Sequence, residues 1–265
     1  MKVALTIAGS DPSGGAGIQA DLKTFHQFKV YGMSVITLIT VQNSISVDRV
    51  EVLKADLVGE QLEAVLRDIE PDALKLGALG NGEIIKTVSP ILKKYSKKIV
   101  VDPVMISTQG ASLFRDEDVE IFRQNILSLC YLVTPNKQEA EILSGVKIES
   151  YHDFPVVAKK IQSYGAQNVL IKGGHMEGQN AKDYLQELKE GCWYESPRFK
   201  TKNTHGTGCT LSAAITAMLA QSDHLQRSVE SAKKYVSSAI ANEIGIGRGT
   251  GPINHFAARS QDSCL

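Results

Sequence analysis

The sequence has no net charge and few cysteines. Its 29 lysine and arginine residues are matched by 29 aspartate and glutamate residues, so it has no basic field that would gather nucleic acid or an anionic membrane. The four cysteines among 265 residues show no Cys-x-x-Cys spacing and no accompanying histidine cluster, which argues against a zinc site and a disulfide framework. These absences favour a small molecule as the ligand.

Long apolar runs are missing as well. No run approaches the ~20 residues of a membrane-spanning helix, and residues 1–9 lead into a glycine-rich loop without the apolar region of a signal peptide. We therefore expect a cytoplasmic protein with reduced cysteines and with neither a membrane nor a nucleic-acid partner. Apolar residues make up 43% of the chain, enough for a large core, and we expect one domain over residues 1–265.

Short apolar segments alternate with amphipathic segments along the whole chain. This order predicts an α/β fold in which helices cover both faces of a mostly parallel sheet. The predicted strands span residues 3–8, 33–40, 73–77, 98–102, 131–134 and 168–171, followed by an antiparallel hairpin over 181–200. The predicted helices span residues 19–28, 57–69, 83–95, 116–127, 138–143, 154–164, 209–221 and 225–244.

Polar or glycine-rich segments follow the predicted strands. In folds of this class, ligands bind beyond the carboxyl ends of the strands, so we expect these segments to share one rim of the sheet. They are residues 9–17, 42–43, 75–79, 102–105, 134–139, 172–175 and 204–209. The first of them lacks the Gly-x-Gly-x-x-Gly pattern of a dinucleotide-binding turn.

The most informative segment is Asn203–Thr210, which precedes an alanine-rich helix. A helix start exposes unpaired N–H groups and the positive end of the helix dipole, so Gly206, Thr207 and Gly208 are predicted to cradle a phosphate or an oxyanion. Cys209 lies on the first turn, where a thiolate is stabilised and a lowered pKa is expected. The pattern suits phosphoryl transfer or acyl chemistry. The alternative is a plain glycine turn before a core helix with an inert cysteine.

Two acidic residues at the same rim suggest a cation site. Asp102 ends a predicted strand, and Glu139 lies three residues after Asn136 at a helix start. Together the two carboxylates would suit a water-rich Mg²⁺ site. The alternative for Asn136 and Glu139 is a capping box, which the local pattern favours. The alternative for Asp102 is a hydrogen bond that anchors its loop.

Two further polar residues carry a binding hypothesis. Lys172, before Gly173 and Gly174, can reach a nucleotide phosphate, whereas His175 suits an ordinary turn. Gln42 offers a paired donor and acceptor that would fit the edge of an aminopyrimidine. Its alternative is a hydrogen bond to backbone at the end of a strand.

Taken together, these motifs resemble the ribokinase superfamily, and more narrowly the hydroxymethylpyrimidine and hydroxymethylpyrimidine phosphate kinases of thiamine biosynthesis. The resemblance runs in order over essentially the whole chain. The matching segments are AGSDPSGGAGIQADLKTF at 8–25, YGMSVIT at 31–37, VQN at 41–43, DPVM at 102–105, TPN and EAE within 134–141, IKGGH at 171–175, NTHGTGCTLSAAI at 203–215 and GRGTGP at 247–252.

The resemblance implies a ribokinase-like fold, ATP and Mg²⁺ as cofactors, a homodimer, and two successive phosphoryl transfers to a hydroxymethylpyrimidine. It implies that Cys209 acts as the base beside an anion hole and that Asp102 and Glu139 are tied to Mg²⁺. The implied substrate-binding residues are Gly9, Asp21, Gln42, Ala78 and Val104. The implied ATP- and phosphate-binding residues are Asn136, Lys172, Gly174 and Thr204.

One departure from the family pattern concerns the substrate pocket. Ala78 stands where the family commonly has a methionine, which predicts room for a larger ring such as pyridoxine or pyridoxal. A vitamin B6 kinase is therefore the main alternative, and Gln42 argues against it. The others are a ligand sensor without catalysis and a cysteine hydrolase using His205 or His175, for which no orienting acid is evident. Residues 106–112 are the candidate lid.

Overall fold

The computed structural model of the protein describes residues 1–95, 97–105, 115–174, 176–222 and 224–257. Its strands are Val3–Ser10 (β1), Tyr31–Gln42 (β2), Val47–Val52 (β3), Ala73–Leu76 (β4), Lys98–Val101 (β5), Leu132–Val133 (β6), Asn168–Ile171 (β7), Asn180–Gln186 (β8) and Gly191–Pro197 (β9). Its α-helices are Gly17–Gln27 (α1), Ala55–Asp68 (α2), Gly82–Leu92 (α3), Asp116–Asn125 (α4), Lys137–Ser144 (α5), Phe154–Gln162 (α6), Thr207–Gln221 (α7) and Leu225–Ala241 (α8).

All the strands belong to one sheet with the order β3-β2-β1-β4-β5-β6-β7-β8-β9. Strands β1, β2 and β4 to β7 are parallel, with Ile7 of β1 opposite Val35 of β2 and Leu76 of β4. Strand β3 pairs antiparallel with β2, and the β8–β9 hairpin pairs antiparallel with β7. The predicted α/β architecture and the hairpin are confirmed.

Helices cover both faces of the sheet because successive side chains of a strand alternate between them. On β1, Leu5 and Ile7 belong to the apolar cluster that holds α2 to α6. The adjacent Ala4 belongs to the opposite cluster, which holds α1, α7 and α8. None of the helices formed by the described residues has the length and apolar composition needed to cross a lipid bilayer.

Two differences from the predicted elements bear on the site. Strand β3 was not predicted, because its sequence VDRVEV is half charged and it lies at an edge of the sheet with no fully buried residue. Helix α7 begins at Thr207 rather than at residue 209. The proposed phosphate cradle is therefore the first turn of α7 itself.

Candidate functional site

Two cavities open at the carboxyl ends of the parallel strands and meet at Cys209. The first, of about 150 Å³, is lined by the ends of β1, β2 and β4, including Gly9, Gln42 and Ala78. The second, of about 670 Å³, is lined by loops after β5, β6 and β7 and by the start of α7. Val104 and Cys209 line both cavities, so the thiol lies where a ligand in one would face a ligand in the other.

The predicted cradle forms one wall of the second cavity. Thr204, Gly206, Thr207 and Gly208 all line it, at the N-terminus of α7. Gly206 precedes the helix with a φ of 81°, in the left-handed region that favours glycine. A Cβ at this position would lie 1.8 Å from the carbonyl oxygen of Gly15, so a side chain would push the two loops apart.

A buried ion pair lies beside the cradle. Nζ of Lys172 donates to Oδ1 of Asp102 over 2.7 Å, and both side chains line the second cavity. Burial alone would lower the pKa of Lys172, but the charges of Asp102 and Glu139 hold it above its ordinary value. Burial would raise the pKa of Asp102, but Lys172 and Lys75 hold it below its usual range. The pair therefore stays charged and sets a fixed ammonium group beside Gly208.

The structure confirms the capping alternative for Asn136 and Glu139 and also places both on the wall of the second cavity. Oδ1 of Asn136 accepts from the backbone N–H of Glu139 over 3.0 Å, and Oε2 of Glu139 accepts from the N–H of Asn136 over 2.7 Å. Burial raises the pKa of Glu139 to about 7, because the Lys172 ammonium offsets it only in part and Asp102 raises it further.

These carboxylates suit a magnesium ion that arrives with a nucleotide better than a resident one. Within the described ranges, no group of three or more His, Cys, Asp or Glu side chains is arranged to hold a metal ion. Asp102 already accepts from Lys172 and Thr134, and Glu139 accepts from backbone N–H groups. Mg²⁺ commonly needs only one or two carboxylates when phosphates and water supply its other ligands.

The prediction that the pKa of Cys209 is lowered is wrong. Burial raises the pKa of this thiol to about 11. The charge of Lys75 and the backbone N–H of Gly17 stabilise the thiolate, but the carboxylates of Asp21 and Asp102 oppose them. At neutral pH the group is a thiol, because the first turn of a helix does not compensate for burial between two acids.

Asp21 does not line either cavity, so the structure corrects its expected place among the substrate contacts. Its side chain is fully buried, and its carboxylate accepts from Nζ of Lys75 over 2.8 Å and from Oγ1 of Thr6 over 2.6 Å. Lys75, by contrast, lines the first cavity. Asp21 therefore lies behind the cavity and holds the lysine that faces into it.

The sequence interpretation missed a second pair, Asp11 and His205. Nε2 of His205 lies 2.8 Å from Oδ2 of Asp11, and both residues line the first cavity. His205 thus has the orienting acid that the sequence did not reveal, since the two residues are 194 positions apart. His175 and the candidate lid at 106–112 lie outside the described residues.

Comparison with known sequences points to one family of kinases. The phosphomethylpyrimidine kinase family model matches residues 11–254. A hydroxymethylpyrimidine/phosphomethylpyrimidine kinase of Bacillus subtilis is 45% identical over 256 residues, which are 96% of this chain and 94% of the relative. The protein of that name from Haemophilus influenzae is 44% identical over 263 residues, or 97% of each chain.

Solved structures share the fold at comparable identity. The pyridoxal kinase of Staphylococcus aureus in complex with AMP-PCP and pyridoxal superposes with a TM-score of 0.90 at 38% identity, covering 97% of this chain and 94% of that one. A phosphomethylpyrimidine kinase of Clostridium difficile superposes with a TM-score of 0.81 at 44% identity, covering 91% of this chain and 100% of that one.

Proposed function

Because the chain belongs to the phosphomethylpyrimidine kinase family, we propose that it phosphorylates 4-amino-5-hydroxymethyl-2-methylpyrimidine with ATP and then phosphorylates the resulting monophosphate, as in thiamine biosynthesis. The observation that carries this proposal is the meeting of two cavities at Cys209, beside the N-terminus of α7. Such an arrangement lets an acceptor in one cavity face the terminal phosphate of a donor in the other. Residues 1–265 then act as one kinase domain.

The first cavity is proposed to hold the pyrimidine. Its volume of about 150 Å³ suits a single small ring. Gln42 would pair with the polar edge of the aminopyrimidine, which offers both a donor and an acceptor. Gly9, Ala78 and Val104 supply close apolar or backbone contacts around the ring.

The second cavity is proposed to hold ATP. The N–H groups of the α7 first turn would bind the γ-phosphoryl group as it moves, and Lys172 would neutralise part of its charge. Asn136, Gly174 and Thr204 line the same cavity and would contact the remaining phosphates. Phosphoryl transfer depends mainly on positioning and charge stabilisation, which this wall provides.

Cys209 is proposed to contact the acceptor hydroxyl. With a pKa of about 11, most molecules hold a thiol here at neutral pH, and only the thiolate fraction can take the hydroxyl proton. A loose transition state needs little deprotonation of the acceptor early in the reaction, so this small fraction is compatible with turnover. The thiol otherwise orients the hydroxyl toward the cradle.

The proposal also covers a bound magnesium ion, the cellular location of the protein and its oligomeric state. We propose that Asp102 and Glu139 hold Mg²⁺ through its waters, where the ion would neutralise charge on the transferring phosphate. The reducing cytoplasm suits the free thiols of Cys130, Cys192 and Cys209. We propose a homodimer because apolar side chains are exposed near one end of β2, at Ile39 and Val41, and at Ile45 in the loop that follows.

Phosphorylation of pyridoxal is proposed as a side activity only. Ala78 lines the first cavity and leaves space that a methionine would fill. The S. aureus structure named above is a pyridoxal kinase of the same fold. The space beside Ala78 thus leaves room for the additional substituents of pyridoxal, while Gln42 favours the aminopyrimidine.

The test is to incubate the protein with Mg-ATP and either the hydroxymethylpyrimidine, pyridoxine or pyridoxal, and to resolve the products by mass. The proposal expects the monophosphate of the pyrimidine first and the diphosphate later. Phosphorylated B6 vitamers with little pyrimidine product would make the side activity the main one. Absence of any phosphorylated acceptor would refute the proposed function.

A further inference from the structure

Asp11 connects two loops of the site through five hydrogen bonds. Its Oδ1 accepts from the backbone N–H of Ser13 over 2.8 Å and from its hydroxyl over 2.7 Å. Its Oδ2 accepts from the N–H groups of Gly15 and Ala16 over 3.2 and 2.8 Å. The fifth partner, Nε2 of His205, comes from the loop that leads into the cradle. One carboxylate therefore organises the loop after β1 and attaches it to the loop before α7.

His205 connects Asp11 to the cradle. Its backbone N–H donates to the carbonyl of Gly251 over 3.0 Å, and its carbonyl accepts from Ile253 over 3.3 Å, so its main chain is held on a second side. The next residue is Gly206, which begins the cradle and packs against the carbonyl of Gly15. A shift of His205 would therefore move Gly206 against the loop that Asp11 organises.

The same carboxylate faces the residue proposed to bind the pyrimidine. Gln42 lines the first cavity beside Asp11, and its side chain helps to lower the pKa of that carboxyl. An ionised carboxylate only accepts hydrogen bonds, so any hydrogen bond between these two side chains must come from the amino group of Gln42. Its carbonyl oxygen is then left to accept from an amino group of the ligand. Because the carboxylate of Asp11 can only accept, the hydrogen bond from His205 likewise requires a proton on its Nε2.

We propose that Asp11 is a positioning residue that fixes the first cavity and the phosphate cradle relative to each other, acting through His205 and Gln42. The proposal rests on the proposed function. Burial would raise the pKa of Asp11, but its donors, His205 first among them, hold the pKa well below its usual range, so the charge persists at working pH. Asparagine cannot replace it, because either orientation of the amide would set an NH₂ group against N–H or O–H donors.

The test compares the kinetics of Asp11→Asn, His205→Leu and His205→Gln with those of the parent. Asp72→Asn is the matched control, since Asp72 forms an ion pair with Lys2 and lines neither cavity. The assay measures kcat, the KM of each substrate, and the ADP released per phosphorylated acceptor. The last quantity separates misaligned transfer from weak binding, because water can accept the phosphoryl group when the acceptor is out of line.

For Asp11→Asn and His205→Leu we expect kcat to fall at least about tenfold while the KM for ATP stays within about threefold. ADP released per product should rise. His205→Gln should keep kcat within about threefold, because its amide nitrogen can replace Nε2 as the donor to Asp11. The double variant Asp11→Asn/His205→Leu should be no worse than the worse single one, since the pair acts as a unit.

Parental kcat in Asp11→Asn, multiplied losses in the double variant, or a rise in both KM values with unchanged ADP per product would overturn the proposal. If Asp11→Asn does not fold, equal kcat in His205→Leu and His205→Gln would overturn it instead. A parent that phosphorylates no acceptor refutes the proposed function itself. An active parent with unaffected variants refutes only the role of Asp11.

Discussion

Replacing Gly206 by alanine tests the cradle directly. Gly206 has a φ of 81°, and an added Cβ would lie 1.8 Å from the carbonyl oxygen of Gly15. Holding alanine in the left-handed region costs about 1–2 kcal/mol. Non-bonded atoms settle at about 3.5–4.0 Å, so the two loops would have to separate by more than about 1 Å. A displacement of that size at a reacting group costs about 100-fold in rate.

We therefore expect Gly206→Ala to lower kcat for pyrimidine phosphorylation by about 100-fold and to destabilise the fold by about 1–2 kcal/mol or more. Gly145→Ala is the matched control. Gly145 ends α5 with a φ of 71°, and its added Cβ would meet nothing within 4 Å. Gly145→Ala should therefore incur only the cost of holding alanine in the left-handed region and should leave kcat unchanged.

The assay pairs steady-state kinetics with thermal unfolding for both variants. A kcat of Gly206→Ala within about threefold of the parent would refute the role given to the cradle, because the loops would then have moved without effect on transfer. Equal losses of kcat in Gly206→Ala and Gly145→Ala would also refute it, since a general loss of stability would then explain both.

Further predictions concern four other residues. Ala78→Met should raise the preference for the pyrimidine over pyridoxal, measured as the ratio of kcat/KM values, by about 10-fold or more; equal ratios would remove the pocket-size explanation. Gln42→Ala should raise the KM of the pyrimidine more than that of ATP, whereas a selective loss of ATP binding would show that Gln42 lies in the wrong cavity. Cys209→Ala should lower kcat by about 100-fold with nucleotide affinity, measured by calorimetry, retained; unchanged turnover would leave Cys209 a structural role. In the folded state the carboxyl of Glu139 keeps its proton up to about pH 7, whereas in the unfolded chain it releases the proton near its ordinary pKa of 4.5. The stabilisation that Glu139 contributes therefore falls as the pH rises between these two values. The Tm of Glu139→Gln should therefore fall less than that of the parent over this pH range. An equal fall of Tm in both proteins would contradict the burial assigned to Glu139.

The positions of most site residues followed from the fold class. Parallel strands bring their carboxyl ends to one edge, so residues as distant as Gln42, Lys172 and Thr204 could be assigned to one rim before any contact was known. The capping box of Asn136 and Glu139 also followed from spacing alone, because it is local. Strand β3 could not be predicted in the same way, since its charged, half-exposed pattern gives no buried run.

The pKa values, burial and long-range contacts of the site residues could not be predicted from the local sequence pattern. The pKa of Cys209 depends on burial and on Lys75, Asp21 and Asp102, which come from three other segments, so its helix position alone gave the wrong direction. The full burial of Asp21 depends on the same packing. The pair of Asp11 and His205 joins residues that are 194 positions apart and has no signal in either segment alone.

The most direct test of the central claim is a crystal structure of the protein with the hydroxymethylpyrimidine and a non-hydrolysable ATP analogue. The account predicts the pyrimidine in the first cavity against Gln42 and the triphosphate in the second, with the terminal phosphate at the first turn of α7. The acceptor hydroxyl should then lie beside Cys209 and face that phosphate. A nucleotide in the first cavity, or a pyrimidine bound away from Cys209, would contradict it.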